Sequence, residues 1–281
     1  MGLKAVVYDR LMVGGQASTT NIIENYPGHA QGTGGPELMM EFQQQAESAG
    51  CEISYDEVSA LNLQGDIKTA QTSSGEVQAR AAILCMGAQA RKLDVPGEEL
   101  FRGRGVSYCA TCDGAFYRGK RVLVVGGGNT AAEDALYLSG LCERVYMVHR
   151  RDALRADAAL VRRIELKSNI EMVWNSTVTE FTGTKSLERA KIRGVNTGEI
   201  HEIEVAGVFI AVGQVPQSDL VRGAIETDAA GFIAAGEDTQ TSLPGVFAAG
   251  DIRTKPLRQV VTAASDGAVA ASMAGRYLTM K

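Results

Sequence analysis

The stretch "SYCATCDGAFY" sets Cys109 and Cys112 three positions apart. A Cys-x-x-Cys pair can close a small disulfide loop, and this spacing lowers a thiol pKa enough to make one sulfur a useful nucleophile near neutral pH. Half of a zinc site is the alternative, but zinc usually takes four ligands in two close pairs. Cys51, Cys85 and Cys142 are singletons, and the histidines, His29, His149 and His201, form no ligand-like pair. Redox chemistry is the preferred reading, and no metal is expected. Asp113 follows Cys112 directly and is a candidate general acid or base for the thiol–disulfide step. Its other reading is a turn cap with Gly114.

A second constellation lies in "RVLVVGGGNTAAEDALYLSGLCERVYMVHRR". An apolar strand runs into Gly126, Gly127 and Gly128, a helix opens near Asn129 and Thr130, and Ala131 completes a G-x-G-x-x-A fingerprint. Gly126 suits the tight turn, Gly128 the close approach of backbone to a pyrophosphate, and Ala131 the packing of helix on strand. The helix N-terminus then faces the phosphates. For NAD an acidic residue is expected roughly 20 positions on. Here the next strand ends instead in His149, Arg150 and Arg151, with Arg155 one turn later. Cations at that point suit a 2′-phosphate, so NADPH is expected over NADH. Arg162 and Arg163 read as a solvated helix face.

A dithiol exchanges electrons poorly with NADPH directly, and a flavin normally mediates. The remaining glycine-rich elements suit that role. They are "VGGQ" with Gly14, Gly15 and Gln16, "IIENYPG" with Asn25, and "GVFAAGDIRTKPLRQVVTAASDG" with Asp251 and Arg258.

These residues need an α/β frame. Strands are expected at 5–8, 81–86, 121–125, 144–149, 207–212 and 245–250, and helices at 36–49, 129–140, 153–167 and 258–278. Short apolar strands alternating with amphipathic helices point to largely parallel sheets. Residues 52–78 and 190–205 alternate around turn signals and read as antiparallel hairpins. The chain looks internally duplicated. Each of the strands at 81–86 and 207–212 follows a hairpin block and closes on Gly87 or Gly213, and "LKAVVYDR" matches "ERVYMVHRR". Two dinucleotide-type domains explain both pairs, in keeping with 281 residues and a usual domain size of about 100–200.

With 28 Lys and Arg against 33 Asp and Glu, the chain carries a formal charge of -5, which disfavours a polyanion partner such as nucleic acid. No apolar run approaches the roughly 18–20 residues that span a bilayer, and the given N-terminal segment, with one lysine and a short apolar stretch, is not expected to act as a secretory signal. A cytoplasmic protein is expected. Five cysteines, an odd number, fit a reducing compartment better than a disulfide framework.

The motifs "ENYPG", "CATCDG", "GGGNTAAEDALYL", "VHRRDALRA", "TSLPGVFAAGD" and "RQVVTAA", in this order, resemble the low-molecular-weight NADPH-dependent thioredoxin reductases across essentially the whole chain. The resemblance implies two Rossmann-like domains, with an NADPH domain (93–212) inserted into a discontinuous FAD domain (1–92 and 213–281). The crossings near 90–93 and 212–216 would be hinges for rotation of one domain against the other. It further implies hydride transfer from NADPH to FAD, reduction of a Cys109–Cys112 disulfide, and attack on a thioredoxin disulfide. Cys112 would face the flavin, Cys109 would attack the partner, and Asp113 would manage protons. Thr130, His149, Arg150, Arg151 and Arg155 match NADPH contacts. Gly15, Gln16, Asn25, Val58, Asp251, Arg258, Gln259 and Val260 match FAD contacts, and Gly14, Asn129 and Val212 join the cofactor-binding set. A homodimer is implied as well. Competing expectations are a related reductase with another disulfide acceptor and a flavin-poor NADPH-binding fragment.

Three departures stand out. Ala115 replaces a common aromatic residue and Ser265 a usual glycine. The strand ending at Asp9 matches the second strand of the FAD half, with Asp9 on the adenosine ribose, so the preceding β-turn-α piece is expected to be missing. Its length would be roughly 25–30 residues, as a truncation or a misplaced start.

Overall fold

The first apolar stretch forms β1 (Val6–Asp9), and α1 (Gly35–Ser48) returns the chain to β2 (Glu52–Tyr55), which lies parallel to β1 with Val6 opposite Glu52. The computed structural model describes residues 2–20 and 22–280. Pro36 sits in the first turn of α1, where its missing N–H costs nothing, and Gly50, at φ +84°, takes the left-handed turn just beyond the helix. By contact the chain divides into two units, one of Met1–Gln89 with Val215–Lys281 and one of Ala90–Gln214. The divisions fall two or three residues from the expected 92/93 and 212/213.

In the first unit an antiparallel meander comes next, β3 (Val58–Asn62), β4 (Lys68–Thr72) and β5 (Gly75–Ala79). This corrects the expectation of hairpins beginning at residue 52. Residues 52–55 belong to the parallel pair, and antiparallel pairing starts only after the turn at Asp56, whose carboxylate accepts the backbone N–H groups of Ser73 (2.9 Å) and Ser74 (3.1 Å). Then come β6 (Ala82–Leu84) and the short β7 (Ala88–Ala90).

The second unit opens with β8 (Val106–Ser107) and the single-turn α2 (Ala110–Asp113), then runs β9 (Arg121–Val125), α3 (Asn129–Ser139), β10 (Arg144–Val148), α4 (Ala158–Glu165) and β11 (Ile170–Val173). A second meander, β12 (Ser176–Gly183), β13 (Leu187–Gly194) and β14 (Ile200–Glu204), precedes β15 (Gly207–Ile210). The expected hairpin at 190–205 is therefore the latter part of a three-stranded sheet. Five strands form a parallel sheet in the order β11-β10-β9-β15-β8. β9 is apolar on both faces because both are covered. Val122 and Val124 pack with Ala131, Ala135 and Leu138 of α3, while Leu123 and Val125 pack with Val178, Phe181 and Ile192 of the meander.

β16 (Gln214–Pro216) leads back to the first unit, where β17 (Val246–Ala248) pairs parallel with β6 and α5 (Val260–Thr279) closes the chain. The two crossings, β7 and β16, pair as a ribbon. Beside it Arg91 N donates to Gly213 O and Gln217 N to Gly87 O, each at 2.9 Å. The first unit's core gathers Leu84, Ile233, Val246, Ala248 and Ile252, with Phe247 and Ala249 set against Ala270 and Ala274 of α5.

Two expected helix starts move. α4 begins at Ala158 rather than 153, because residues 150–157 are held as a loop by hydrogen bonds to the glycine turn at 126–129. α5 begins at Val260, since Gln259 and Thr262 form a capping box. Asp251, just past the strand expected at 245–250, lies in a 3₁₀ turn, Gly250–Ile252, after β17.

Candidate functional site

In the second unit Cys109 and Cys112 are joined by a disulfide bond, with Cα atoms 5.3 Å apart. Extended backbone at Cys109 gives way there to α2, and its Sγ accepts Cys112 N at 3.2 Å in the manner of an N-cap. Ser107 Oγ accepts Cys109 N at 3.1 Å, fixing the approach from β8. Asp113 is half-buried. Burial pushes its carboxyl above the usual carboxylate range, and a hydrogen bond from Ser107 works against that shift. Among the described residues no cluster of three or more His, Cys, Asp or Glu could hold a metal ion.

A supporting group without any sequence signal also lies here. Glu98 is buried at 3% exposure, and its carboxylate accepts Leu93 N (3.0 Å), Val95 N (3.3 Å) and Tyr108 Oη (2.7 Å). Desolvation first, and then the bond to Glu98, push the Tyr108 hydroxyl well above the ordinary phenol range. The residue before Cys109 is thus tied to the segment just past the first crossing. No spacing rule would pair residues 98 and 108.

α2 packs on α3 through Ala110, which shares a core cluster with Ala131, Ala135 and Leu138. The fingerprint lies at the start of α3. A Cβ on Gly126 would meet Ala131 Cβ at 2.7 Å, and one on Gly127 would collide with the imidazole of His149. A Cβ on Gly128 would meet nothing within 4 Å. The turn is packed from below and open at Gly128, which is the arrangement a phosphate needs over a helix N-terminus. Asn129 and Thr130 are exposed on the first turn.

His149, Arg150, Arg151 and Arg155 come after β10. The three arginines are exposed, whereas His149 is buried, its ring edge-on to Trp174 at 6.4 Å and its Nε2 without a partner among the described residues. Burial first, and then Arg155, Arg150 and Arg151, push the imidazole pKa down. His149 is accordingly a neutral ring beneath the glycine turn and not a fourth cation. Asn175, at φ +48°, anchors this strand end by donating its N–H to Arg151 O at 3.2 Å. An aromatic residue after β11 was the available signal for Trp174.

In the first unit Gly14 (φ +106°) and Gly15 (φ +50°) turn the chain after β1. Gln16 donates its side-chain amide to Ala88 O. Asn25 Nδ2 donates to Gln259 Oε1 at 2.9 Å, bringing together two residues 234 positions apart in sequence. Asp9 Oδ1 accepts Leu11 N (3.0 Å) and Met12 N (3.1 Å), so one of its oxygens serves the turn. Val58 starts β3 and Val260 starts α5. Val212, half-buried, comes after β15 in the second unit and packs against that unit's core.

Asp251 Oδ1 is buried with no hydrogen-bond partner among the described residues. Burial raises the Asp251 carboxyl, against the pull of Lys255 and Arg258. Arg258 stacks over Phe232 at 4.0 Å and donates to Asp251 O at 3.4 Å. Asp266, on α5, accepts Gly250 N (2.9 Å), Arg253 (2.6 and 2.9 Å) and Lys255 (2.7 Å), fixing the turn that carries Asp251. That buried ion network has no local sequence signal, since its members span 250–266.

The residues present fit two dinucleotides. One set offers an open glycine turn, a helix N-terminus and exposed arginines, and the other a buried carboxylate oxygen awaiting a donor such as a hydroxyl. Over residues 2–267 the chain matches the family described as pyridine nucleotide-disulphide oxidoreductase. It is 42% identical over 277 residues to the thioredoxin reductase of Mycolicibacterium smegmatis, covering 98% of this chain and 89% of the relative. It is 42% identical over 278 residues to the bifunctional thioredoxin reductase/thioredoxin of Mycobacterium leprae, covering 98% of this chain and 61% of that one. The crystal structure of thioredoxin reductase from Streptococcus pyogenes superimposes with a TM-score of 0.90 at 40% identity, covering 98% of this chain and 90% of that one. With its disulfide, nucleotide turn and near full-length likeness, the chain belongs to the pyridine nucleotide-disulphide oxidoreductase family and, within it, to the low-molecular-weight thioredoxin reductases.

Proposed function

We propose that the chain is an NADPH-dependent flavoprotein disulfide reductase that passes electrons through the Cys109–Cys112 pair to thioredoxin. The observation that carries this is a disulfide at the mouth of α2, packed against the helix whose N-terminus forms the nucleotide turn. When bound, FAD converts the hydride of NADPH into the electron pair that a disulfide accepts.

The residues divide the work. Gly126, Gly128 and the N-terminus of α3, with Thr130 and Ala131, receive the pyrophosphate. Arg150, Arg151 and Arg155 take the 2′-phosphate as charge-assisted contacts, while His149 supports the turn. Gly14, Gly15, Gln16, Asn25, Val58, Asp251, Arg258, Gln259 and Val260 hold FAD, and Asp9 holds its ribose. Two electrons open the S–S bond, leaving one sulfur as thiolate and the other protonated. Asp113, raised by burial, is suited to supply that proton and to take it back. The Cys109 thiolate attacks one sulfur of the partner disulfide and releases the other as a thiolate. Cys112 then attacks the mixed disulfide, which restores the Cys109–Cys112 bond and frees the reduced partner.

The relative in Mycobacterium leprae that carries its own thioredoxin supports this choice of acceptor. Among the described residues no helix is long and apolar enough to cross a membrane. A cytoplasmic homodimer without nucleic-acid or membrane partners completes the reading, by family likeness and the net charge of -5. The test is the purified chain itself. It should show flavin absorbance near one equivalent and drive NADPH-dependent reduction of thioredoxin, monitored with a thiol reagent. A colourless chain that binds NADPH but reduces no disulfide overturns the proposal.

A further inference from the structure

Asn129 is expected among the nucleotide contacts, but its side chain faces another task. Its Nδ2 donates to Asp157 Oδ2 at 2.9 Å, and its Oδ1 accepts Asp157 N at 2.8 Å. Two residues away on each side, Arg155 N donates to Gly127 O at 2.7 Å. Three hydrogen bonds therefore join the glycine turn, residues 126–129, to the basic loop, residues 149–157. The same bonds keep residues 150–157 out of α4, which starts only at Ala158.

The two joined segments have different tasks. One presents the N-terminus of an 11-residue helix, and the other presents Arg150, Arg151 and Arg155. We propose that Asn129 and Asp157 are specificity-determining positioning residues, a strap that fixes the spacing between a pyrophosphate subsite and a 2′-phosphate subsite. This rests on the NADPH reading of the site. A ligand that spans both subsites gains from each only when their spacing matches its own, because the second contact is made at an effective concentration set by the link between the sites. A ligand that touches only one subsite does not sense that spacing. Holding the loops in place beforehand also removes the ordering cost that binding would otherwise carry. The strap favours the 2′-phosphorylated dinucleotide over its unphosphorylated counterpart without touching either phosphate.

The experiment is anaerobic calorimetric titration of the full 281-residue chain, its flavin and disulfide reduced beforehand so that no hydride is transferred, with three probes: NADPH, which spans both subsites, NADH, which lacks the 2′-phosphate, and 2′-AMP, which lacks the pyrophosphate. Asn129→Ala removes both side-chain bonds and Asp157→Ala one of them. At about one hydrogen bond's worth for each bond lost, NADPH should bind about 2- to 13-fold more weakly to Asp157→Ala and more weakly still to Asn129→Ala. NADH and 2′-AMP should change by less than about twofold. Because both substitutions cut the same strap, the double variant should lose no more than Asn129→Ala alone. Asp157→Asn keeps an acceptor oxygen and should restore NADPH affinity to within about twofold. Equal losses for all three probes overturn the strap, as does unchanged NADPH affinity in Asn129→Ala. If the parent chain binds none of the three, the NADPH site itself is wrong and the strap falls with it.

Discussion

Replacing Asp266 by alanine strips the carboxylate from between two buried cations. Arg253 and Lys255 have side chains only 11% and 5% exposed, and both donate to Asp266. Breaking a buried pair by removing one partner costs about 3–5 kcal/mol, because the charge left behind is neither solvated nor paired. Against a total stability of about 5–15 kcal/mol this is a large fraction. At about 2–4 °C per kcal/mol for a unit of this size, the melting temperature should fall by roughly 6–20 °C. Thermal unfolding monitored by circular dichroism at pH 7 measures it. Asp266→Asn keeps the volume and an acceptor for Gly250 N, so the part of the loss that it retains belongs to charge. The pH dependence has a definite sign. Burial pushes the Asp266 carboxyl up, but hydrogen bonds from Arg253, Lys255 and Gly250 N outweigh it and hold the pKa below the ordinary value. A carboxyl depressed on folding contributes stability above its unfolded pKa of about 3.9 and loses it as pH falls through the folded value. The gap between parent and Asp266→Ala should thus persist from pH 7 to about pH 4 and narrow only below that. A melting temperature within about 3 °C of the parent at pH 7, or a gap already closed at pH 5, would show that the Asp266 carboxylate does not hold these cations together.

Other outcomes rest on the same geometry. Cys112→Ser should leave NADPH-driven bleaching of the flavin intact and abolish thioredoxin turnover, and surviving turnover in a stopped assay removes the dithiol from the pathway. Gly127→Ala should lower the melting temperature, since its Cβ meets the rigid His149 ring, whereas Gly128→Ala should melt within about 1 kcal/mol of the parent yet bind NADPH poorly. The reverse ranking would mean that the turn is packed the other way. Arg150→Ala with Arg151→Ala should raise the KM for NADPH at least about tenfold more than that for NADH, at about 1.5–3 kcal/mol per hydrogen bond to a charged group. His149 has its pKa pushed down on folding, so it should protonate only below the ordinary histidine value of about 6.5, and the stability it affects should fall as pH drops below that value. A ring-proton NMR titration with a midpoint above 6.5 contradicts the buried, neutral assignment.

Much of the frame is legible because local chemistry and tertiary packing agree. The run Val122–Val125 before three glycines could hardly be anything but a strand buried on both faces that turns into a helix, and it is one. Residues 52–55 mislead for a physical reason. Alternation of side chains tells which faces a strand shows but not the direction of its partner, and β2 pairs with β1, 46 residues earlier, instead of with the adjoining β3. Residues 153–157 carry a helical period, yet bonds from Gly127 and Asn129 capture them as a loop, so tertiary contacts override propensity. The cysteines, the glycines and the basic cluster declare themselves because each works within a few residues of its neighbours. Glu98, Asp157 and Asp266 do not, since each acts on groups that only the folded chain brings near, and a lone acidic residue looks like surface until its partners are known.

The ribbon of β7 and β16 bears on how such a chain reaches its fold. About 125 residues, Ala90 to Gln214, leave and return through two neighbouring strands, which in a sheet lie about 4.8 Å apart. If the inserted unit were still a coil, joining β6 to β17 would close a loop of that length, at an entropic cost of about (3/2)RT ln n, or roughly 4 kcal/mol. Once the insert has folded, its ends already stand side by side and that cost is gone. The continuous segment, with its own covered sheet, is therefore the natural first folder, and the split one inherits a chain whose two halves have been delivered to each other.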